Sequence, residues 1–187
     1  MKAPDLYGLI LIGGRSTRMG TDKSLLRYHE ADQRHFNYNF LSPYCSKAFL
    51  SCNQKQAADI ELDHIIDKED QQGPLTGLLS AFAQYPDVAW LVLACDMPYV
   101  NDHVIKTLIA HRDPKKLATC FYHDFPEPLC TIWEPAAFKV LQEFTASGVR
   151  SPRRFLEDND TNYIMVDNAF KHHLININSP QERNRLK

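Results

Sequence analysis

The chain has 187 residues, 44% of them hydrophobic and 11% aromatic, which is enough apolar surface for one packed core and excludes a disordered or low-complexity class. Its 21 Lys and Arg against 23 Asp and Glu leave a formal net charge of -2, so the general basic face of a nonspecific nucleic-acid binder is not expected. No apolar run approaches the roughly 20 residues that span a bilayer, and the chain reads as one cytoplasmic domain over residues 1–187, with no nucleic-acid or membrane partner.

The first predicted element is a strand from Tyr7 to Ile12, a continuous apolar run of the kind buried on both faces of a parallel sheet. It opens directly into Gly13-Gly14 and a loop running to Lys23. Glycine has no Cβ, so backbone N–H groups can approach a ligand closely there, and a phosphate is the natural occupant. Five residues separate Gly14 from Gly20, and Thr21-Asp22 intervene before Lys23, which fits neither a P-loop nor a Gly-x-Gly-x-x-Gly dinucleotide fingerprint. Arg15, Arg18, Lys23 and Arg27 face the single acid Asp22. Positive charge is therefore concentrated in this loop within an otherwise weakly acidic chain, and the expected ligand is a small anion.

Phe36, Phe40, Leu41 and Tyr44 then mark a helix face, Ala48 to Cys52 and His64 to Asp67 read as short strands, and Leu75, Leu78, Leu79 and Phe82 mark a second helix. That helix opens on Gly73-Pro74-Leu75-Thr76-Gly77, whose N-terminal amides suit an anion or a base. Trp90 to Cys95 is another buried strand, and Asp96-Met97-Pro98 turns the chain out of the sheet. Asn101 is an N-cap for a helix with Val104, Ile105, Leu108 and Ile109 inward. Strands are expected at Leu117 to Tyr122 and Leu129 to Trp133, then a helix from Pro135 to about Ala146 with Gly148 near its end. Tyr163 to Val166 and Leu174 to Ile177 complete the strands, followed by a short polar helix from Ser179. The alternation predicts an α/β fold with a mostly parallel sheet, helices on both faces, and a ligand at the carboxyl ends of the strands.

Asp96 is the second half of that site. A carboxylate at the carboxyl edge, facing a cationic phosphate loop, is what a Mg²⁺-nucleotide requires, because Mg²⁺ is usually held by one or two carboxylates plus phosphate oxygens and waters. The five cysteines form no Cys-x-x-Cys pair, and several sit in apolar runs. They are expected to be reduced core residues, and the scattered histidines give no zinc motif.

With these pieces assembled, the chain resembles the nucleotidyltransferases of the molybdenum cofactor guanylyltransferase (MobA-like) family. The resemblance is carried by the segment from Ile12 to Lys23, by Gly73-Pro74-Leu75-Thr76-Gly77, by Cys95-Asp96-Met97-Pro98 and by Asn176-Ile177-Asn178-Ser179-Pro180. It implies a Rossmann-like nucleotidyltransferase fold and transfer of GMP from GTP to molybdopterin, releasing pyrophosphate. By motif position it implies that the backbone of Leu11, Ile12, Gly13 and Gly14 holds the nucleotide, with Arg18 and Lys23 on its phosphates. Asp96 would bind both Mg²⁺ and nucleotide, with Arg18, Lys23 and Asp96 as the catalytic set. Guanine or ribose contacts would fall at Ser51, Asn53 and Asp67, and Asn178 would lie near the metal and the acceptor phosphate.

Two departures from the family pattern stand out. Ile12 replaces the usual Ala before the glycine pair, and His29-Glu30-Ala31-Asp32-Gln33-Arg34-His35 replaces a Gly-Lys-Pro turn. Related cytidylyltransferases tend to carry Ala-Ala-Gly at the position of Ile12-Gly13-Gly14 and to lack Gly-Pro-Leu-x-Gly; both differences favour guanine. Pro126-Glu127-Pro128-Leu129 and Ser151-Pro152-Arg153-Arg154 are candidates for the acceptor side. The resemblance also suggests contact with other molybdenum cofactor pathway proteins. Two alternatives stay open: a nucleotidyltransferase of the same superfamily with another base or acceptor, and a catalytically silent nucleotide-binding module.

Overall fold

The structure, a computed structural model, describes residues 3–12, 32–68 and 73–177. Strand β1 (Leu6–Leu11) lies between two parallel neighbours, β2 (Lys47–Cys52) and β4 (Ala89–Ala94). Strand β3 (His64–Ile66) extends the sheet beyond β2, while β6 (Pro126–Trp133), β5 (Ala118–Tyr122) and β7 (Thr161–Met165) extend it beyond β4. Among the described residues the sheet has seven strands in the order β3-β2-β1-β4-β6-β5-β7. Only β6 runs antiparallel, to both β4 and β5, so the expected mostly parallel sheet is present.

The apolar runs alternate between two cores. Ile10, Leu50, Leu91 and Leu93 meet Val104, Ile105 and Leu108 of helix α4 (Asp102–Ala110) on one face, beside Leu41 of helix α1 (Gln33–Leu41). On the other face Leu9, Leu11, Phe49, Trp90 and Val92 meet Leu75, Leu78 and Phe82 of helix α3 (Pro74–Gln84). Leu141 of helix α5 (Ala137–Ala146) and Phe155 of helix α6 (Pro152–Asp158) complete that second layer. The two-residue period of a strand makes this possible, since successive side chains of β1 point to opposite faces. Helices α2 (Gln54–Ala57) and α7 (Asn168–Lys171) are single turns that hydrophobic periodicity is too short to reveal.

Three expectations are corrected. The inward stripe of α1 is Gln33, Asn37 and Leu41, with Gln33 Nε2 donating to Asn37 Oδ1 at 3.2 Å. An amide pair that satisfies part of its own hydrogen bonding can be buried, so Phe36 and Phe40 are displaced to a half-buried stack on the flank. Tyr44 falls in a 3₁₀ turn (Ser42–Tyr44) after Pro43 ends the helix. Leu174 to Ile177 is not a strand: His172–Leu174 forms a 3₁₀ turn, and the segment beyond it crosses the sheet end, where Ile177 N–H donates to the Asp96 carbonyl at 2.8 Å. The helix expected from Ser179 lies outside the described residues.

The cysteines are all free, and Cys52, Cys95, Cys120 and Cys130 are buried. Burial pushes the Cys52 thiol up to about 11 and the Cys120 thiol up to about 12, as core packing requires. Among the described residues no helix is long and apolar enough to cross a membrane.

At the amino end of the strands Arg112 closes the fold. Its guanidinium donates to both oxygens of Glu134, at 2.6 and 2.9 Å, and to the Pro4 carbonyl at 3.0 Å. Glu134 is fully buried. Removing one partner of such a pair leaves an uncompensated buried charge, so Arg112→Ala should lose about 3–5 kcal/mol of folding stability in urea unfolding monitored by circular dichroism.

Candidate active site

The site is built from strand ends that stop at one level. Leu11 pairs with Ser51 of β2 and with Ala94 of β4, and the backbone links continue past the strands. Ile12 N–H donates to the Ser51 carbonyl at 3.2 Å, Cys95 N–H to the Leu11 carbonyl at 3.1 Å, and Asp67 N–H to the Cys52 carbonyl at 2.8 Å. The chain leaves β1 for β2 on one side and later places β4 on the other, so the sheet order reverses at β1. A crevice outside the carboxyl ends is expected at such a switch point.

On the β2–β3 side, Ser51 is almost fully buried, and its hydroxyl donates to Asp67 Oδ1 at 2.7 Å. Burial raises the Asp67 carboxyl to about 6, and the Ser51 bond partly counters the rise by favouring the charged form. Helix α3 sits on top of this pair. A Cβ on Gly77 would lie 2.1 Å from Ser51 Oγ and 3.1 Å from Leu11 Cδ2, so the helix approaches this closely only because residue 77 is glycine. Gly73, with φ +108°, supplies the left-handed turn that starts it.

Asn53 serves first as a cap. Its Oδ1 accepts from the Lys55 and Gln56 amides, both at 3.0 Å, and the Gln56 side chain accepts from the Asn53 amide at 3.1 Å. Gln56 Nε2 also reaches the Ile12 carbonyl at 3.4 Å. The Ile12 side chain packs into the core with Leu50 and Ile60. Its departure from alanine is therefore absorbed inside the protein, and the backbones of Leu11 and Ile12 lie at the strand end, where the floor of such a crevice is expected.

Asp96 stands at the end of β4, half-buried, immediately before the buried anchor Met97. Across from it, on β6, lies Glu127. Leu93 pairs with Cys130, and three residues further along each chain Asp96 and Glu127 lie near enough for the charge of Asp96 to act on the Glu127 carboxyl. Glu127 is only 7% exposed, and its Oε1 accepts from the Leu129 amide at 2.8 Å. Burial above all pushes its carboxyl up to about 7, the Leu129 bond opposes the rise, and the charge of Asp96 adds to it. A carboxyl raised above its unfolded value favours folding most below about pH 4.5, and that contribution is lost as pH rises through about 7.

The structure thus brings Leu11, Ile12, Ser51, Asn53, Asp67 and Asp96 to one edge. Gly13, Gly14, Arg18, Lys23 and Asn178 lie outside the described residues. Arg153 and Arg154 are exposed and pair along their own helix with Glu157 at 2.8 Å and Asp158 at 3.2 Å. The Arg153 guanidinium also lies 4.2 Å from the Phe125 ring centre, beside the start of β6. Sequence reading passed over Gln56, whose box-forming position three residues after Asn53 was the available signal.

The Gly77 contact generates a double-mutant test. Gly77→Ala should cost about 1–3 kcal/mol by overpacking, and Ser51→Ala about 1–3 kcal/mol through the lost bond to Asp67. Because Ser51 Oγ is the clashing atom, the double variant should cost at least ~0.5 kcal/mol less than the sum, read from denaturant unfolding.

A family model for the MobA-like NTP transferase domain matches residues 8–162. A Synechocystis protein named molybdenum cofactor biosynthesis bifunctional protein is 35% identical over 187 residues, covering 97% of this chain and 53% of the relative. The chain thus spans about half the length of that protein. The molybdenum cofactor guanylyltransferase of Ectopseudomonas mendocina is 31% identical over 151 residues, covering 79% of this chain and 75% of the relative. In fold, the chain is similar to the crystal structure of molybdopterin-guanine dinucleotide biosynthesis protein A from Archaeoglobus fulgidus. The TM-score is 0.80 at 23% identity, over 96% of this chain and 95% of the other. The shared fold, the glycine-dependent edge and the match over most of its length place the chain in the MobA-like NTP transferase domain family.

Proposed function

We propose that the protein transfers GMP from GTP to molybdopterin, forming the guanine dinucleotide form of the cofactor and releasing pyrophosphate. The observation that carries this reading is the convergence of the Ser51–Asp67 pair, the α3 N-terminus and Asp96 on one carboxyl edge, in a chain whose relatives bear the guanylyltransferase name. Gly13, Gly14 and the floor at Leu11 and Ile12 cradle the phosphates. Ser51, Asn53 and Asp67 face base or ribose.

In the proposed reaction an oxygen of the molybdopterin phosphate attacks the α-phosphorus of GTP. A new P–O bond forms as the bond to the β-phosphate oxygen breaks, and the electron pair leaves with pyrophosphate. Attacker and target are both anionic, so the protein's task is positioning and charge neutralisation, without a protein nucleophile. Arg18, Lys23 and the loop amides stabilise the negative charge that builds on the departing pyrophosphate. Mg²⁺ would be held by Asp96, with Asn178 close by, and when bound it supplies charge neutralisation of the nucleotide phosphates. The donor chemistry fits: a half-buried carboxylate at the sheet edge suits a hard cation completed by phosphate oxygens and water. Molybdenum cofactor pathway proteins that deliver or receive the cofactor are the proposed partners, in the cytoplasm.

A charge-assisted contact contributes about 1.5–3 kcal/mol, which corresponds to roughly 10- to 150-fold in rate. Lys23→Ala should therefore lose at least about tenfold in turnover and Asp96→Ala more, while Cys95→Ala keeps near-normal activity. Assays with each of the four NTPs and molybdopterin check the base; a preference for CTP over GTP would overturn the guanine assignment.

A further inference from the structure

Glu127 is a buried carboxylate to which the reaction above gives no part, and its placement is unusual. Along β5 the pairing runs Ala118 to Trp133, Thr119 to Ile132 and Cys120 to Thr131, then jumps to Tyr122 with Pro126. The stretch from Glu127 to Cys130 therefore stands against the single residue Phe121. Such a bulge re-aims side chains and is common beside active sites. Pro126 and Pro128 flank Glu127 and have no N–H to give to either neighbouring strand, which lets the stretch leave the β5 ladder, while β6 pairs with β4 as far as Cys130 opposite Leu93. The result is a carboxylate set level with Asp96.

Topology places this carboxylate on a particular side. Ser51, Asn53 and Asp67 belong to the β2–β3 half of the edge, Asp96 ends the central strand β4, and Glu127 lies beyond it on β6. A nucleotide occupying the β1–β3 half leaves the β6 half to the incoming acceptor. One oxygen of Glu127 is held by the Leu129 amide; the other accepts no hydrogen bond from the described residues. In its ionised form this carboxyl offers acceptors only, so it then repels phosphate oxygens and selects N–H or O–H groups, whose hydrogen bonds in turn favour that form. Arg153 and Arg154, the other acceptor-side candidates, are exposed and already paired along their own helix.

We infer that Glu127 is a specificity-determining residue of the acceptor subsite, its free carboxylate oxygen receiving ring N–H groups of the acceptor next to the acceptor phosphate. This rests on the proposed function, in which the acceptor is a reduced pterin rich in N–H donors. A polar site of this kind penalises acceptors without the matching donor, because a bound acceptor that excludes water then leaves the carboxylate oxygen unpaired.

The test uses the full chain with GTP, Mg²⁺ and molybdopterin, comparing wild type, Glu127→Gln and the charge-retaining Glu127→Asp. Expected for Glu127→Gln is a fall of about 10- to 150-fold in kcat/KM for molybdopterin. The KM for GTP and the Mn²⁺ affinity of the GTP complex, read by electron paramagnetic resonance, should stay within about twofold, and Glu127→Asp should recover part of the loss. A carboxylate that merely staples the bulge would lower all three quantities together or none. A folded Glu127→Gln with unchanged kcat/KM for molybdopterin overturns the assignment alone. So does a variant whose Mn²⁺ affinity falls while its dependence on molybdopterin does not. Absence of wild-type turnover with molybdopterin removes the proposed function, and this assignment with it.

Discussion

The register of β1 is the constraint on which the rest of the molecule depends. Locked between two parallel neighbours, it sets Leu11 level with Ser51 and Ala94 at once, and the backbone bonds of Ile12 and Cys95 extend that alignment past the strand ends. A parallel strand slipped by one residue would turn Leu9 and Leu11 out of one core and Ile10 and Ile12 out of the other. Two apolar layers thus hold a polar edge in alignment. The edge then needs little machinery of its own: a glycine where α3 rests on Ser51, a proline turn after Asp96, and a bulge that carries Glu127 level with it.

Electrostatics divides that edge. Asp67 and Glu127 are both carboxyls raised chiefly by burial, yet they are held differently, one by a serine hydroxyl and the other by its own strand's amide. Asp96 lies between them in the sheet order. On the proposed reading this sorts the edge into a nucleotide half, a charge-neutralising centre and an acceptor half. The buried Arg112–Glu134 pair belongs to the opposite end of the strands. It ties the close of α4 to the end of β6 and takes no part in that division.

Much of this was legible in the chain because the signals were local. Tyr7 to Ile12 and Trp90 to Cys95 are apolar without interruption, which marks central strands, and Asn101 caps its helix as its position predicts. The α1 face was misread because Gln33 and Asn37 satisfy each other, a tertiary fact that periodicity cannot carry. Leu174 to Ile177 looked like a strand because it is apolar, but its backbone partner is the Asp96 carbonyl, far away in sequence. The placement of Ser51, Asp67 and Asp96 at strand ends was legible from the short strand and apolar runs that carry or precede them. The bulge that aims Glu127 was not, since it follows from unequal strand pairing on the two sides of β6.

The central claim is that one carboxyl edge receives a nucleotide and an acceptor together and joins them. Pyrophosphate release by the purified protein in the presence of Mg²⁺ tests it most directly. Release that requires GTP and molybdopterin together, and is absent with either alone, is the predicted result. Release from GTP alone at the same rate, or none with both present, would contradict the account.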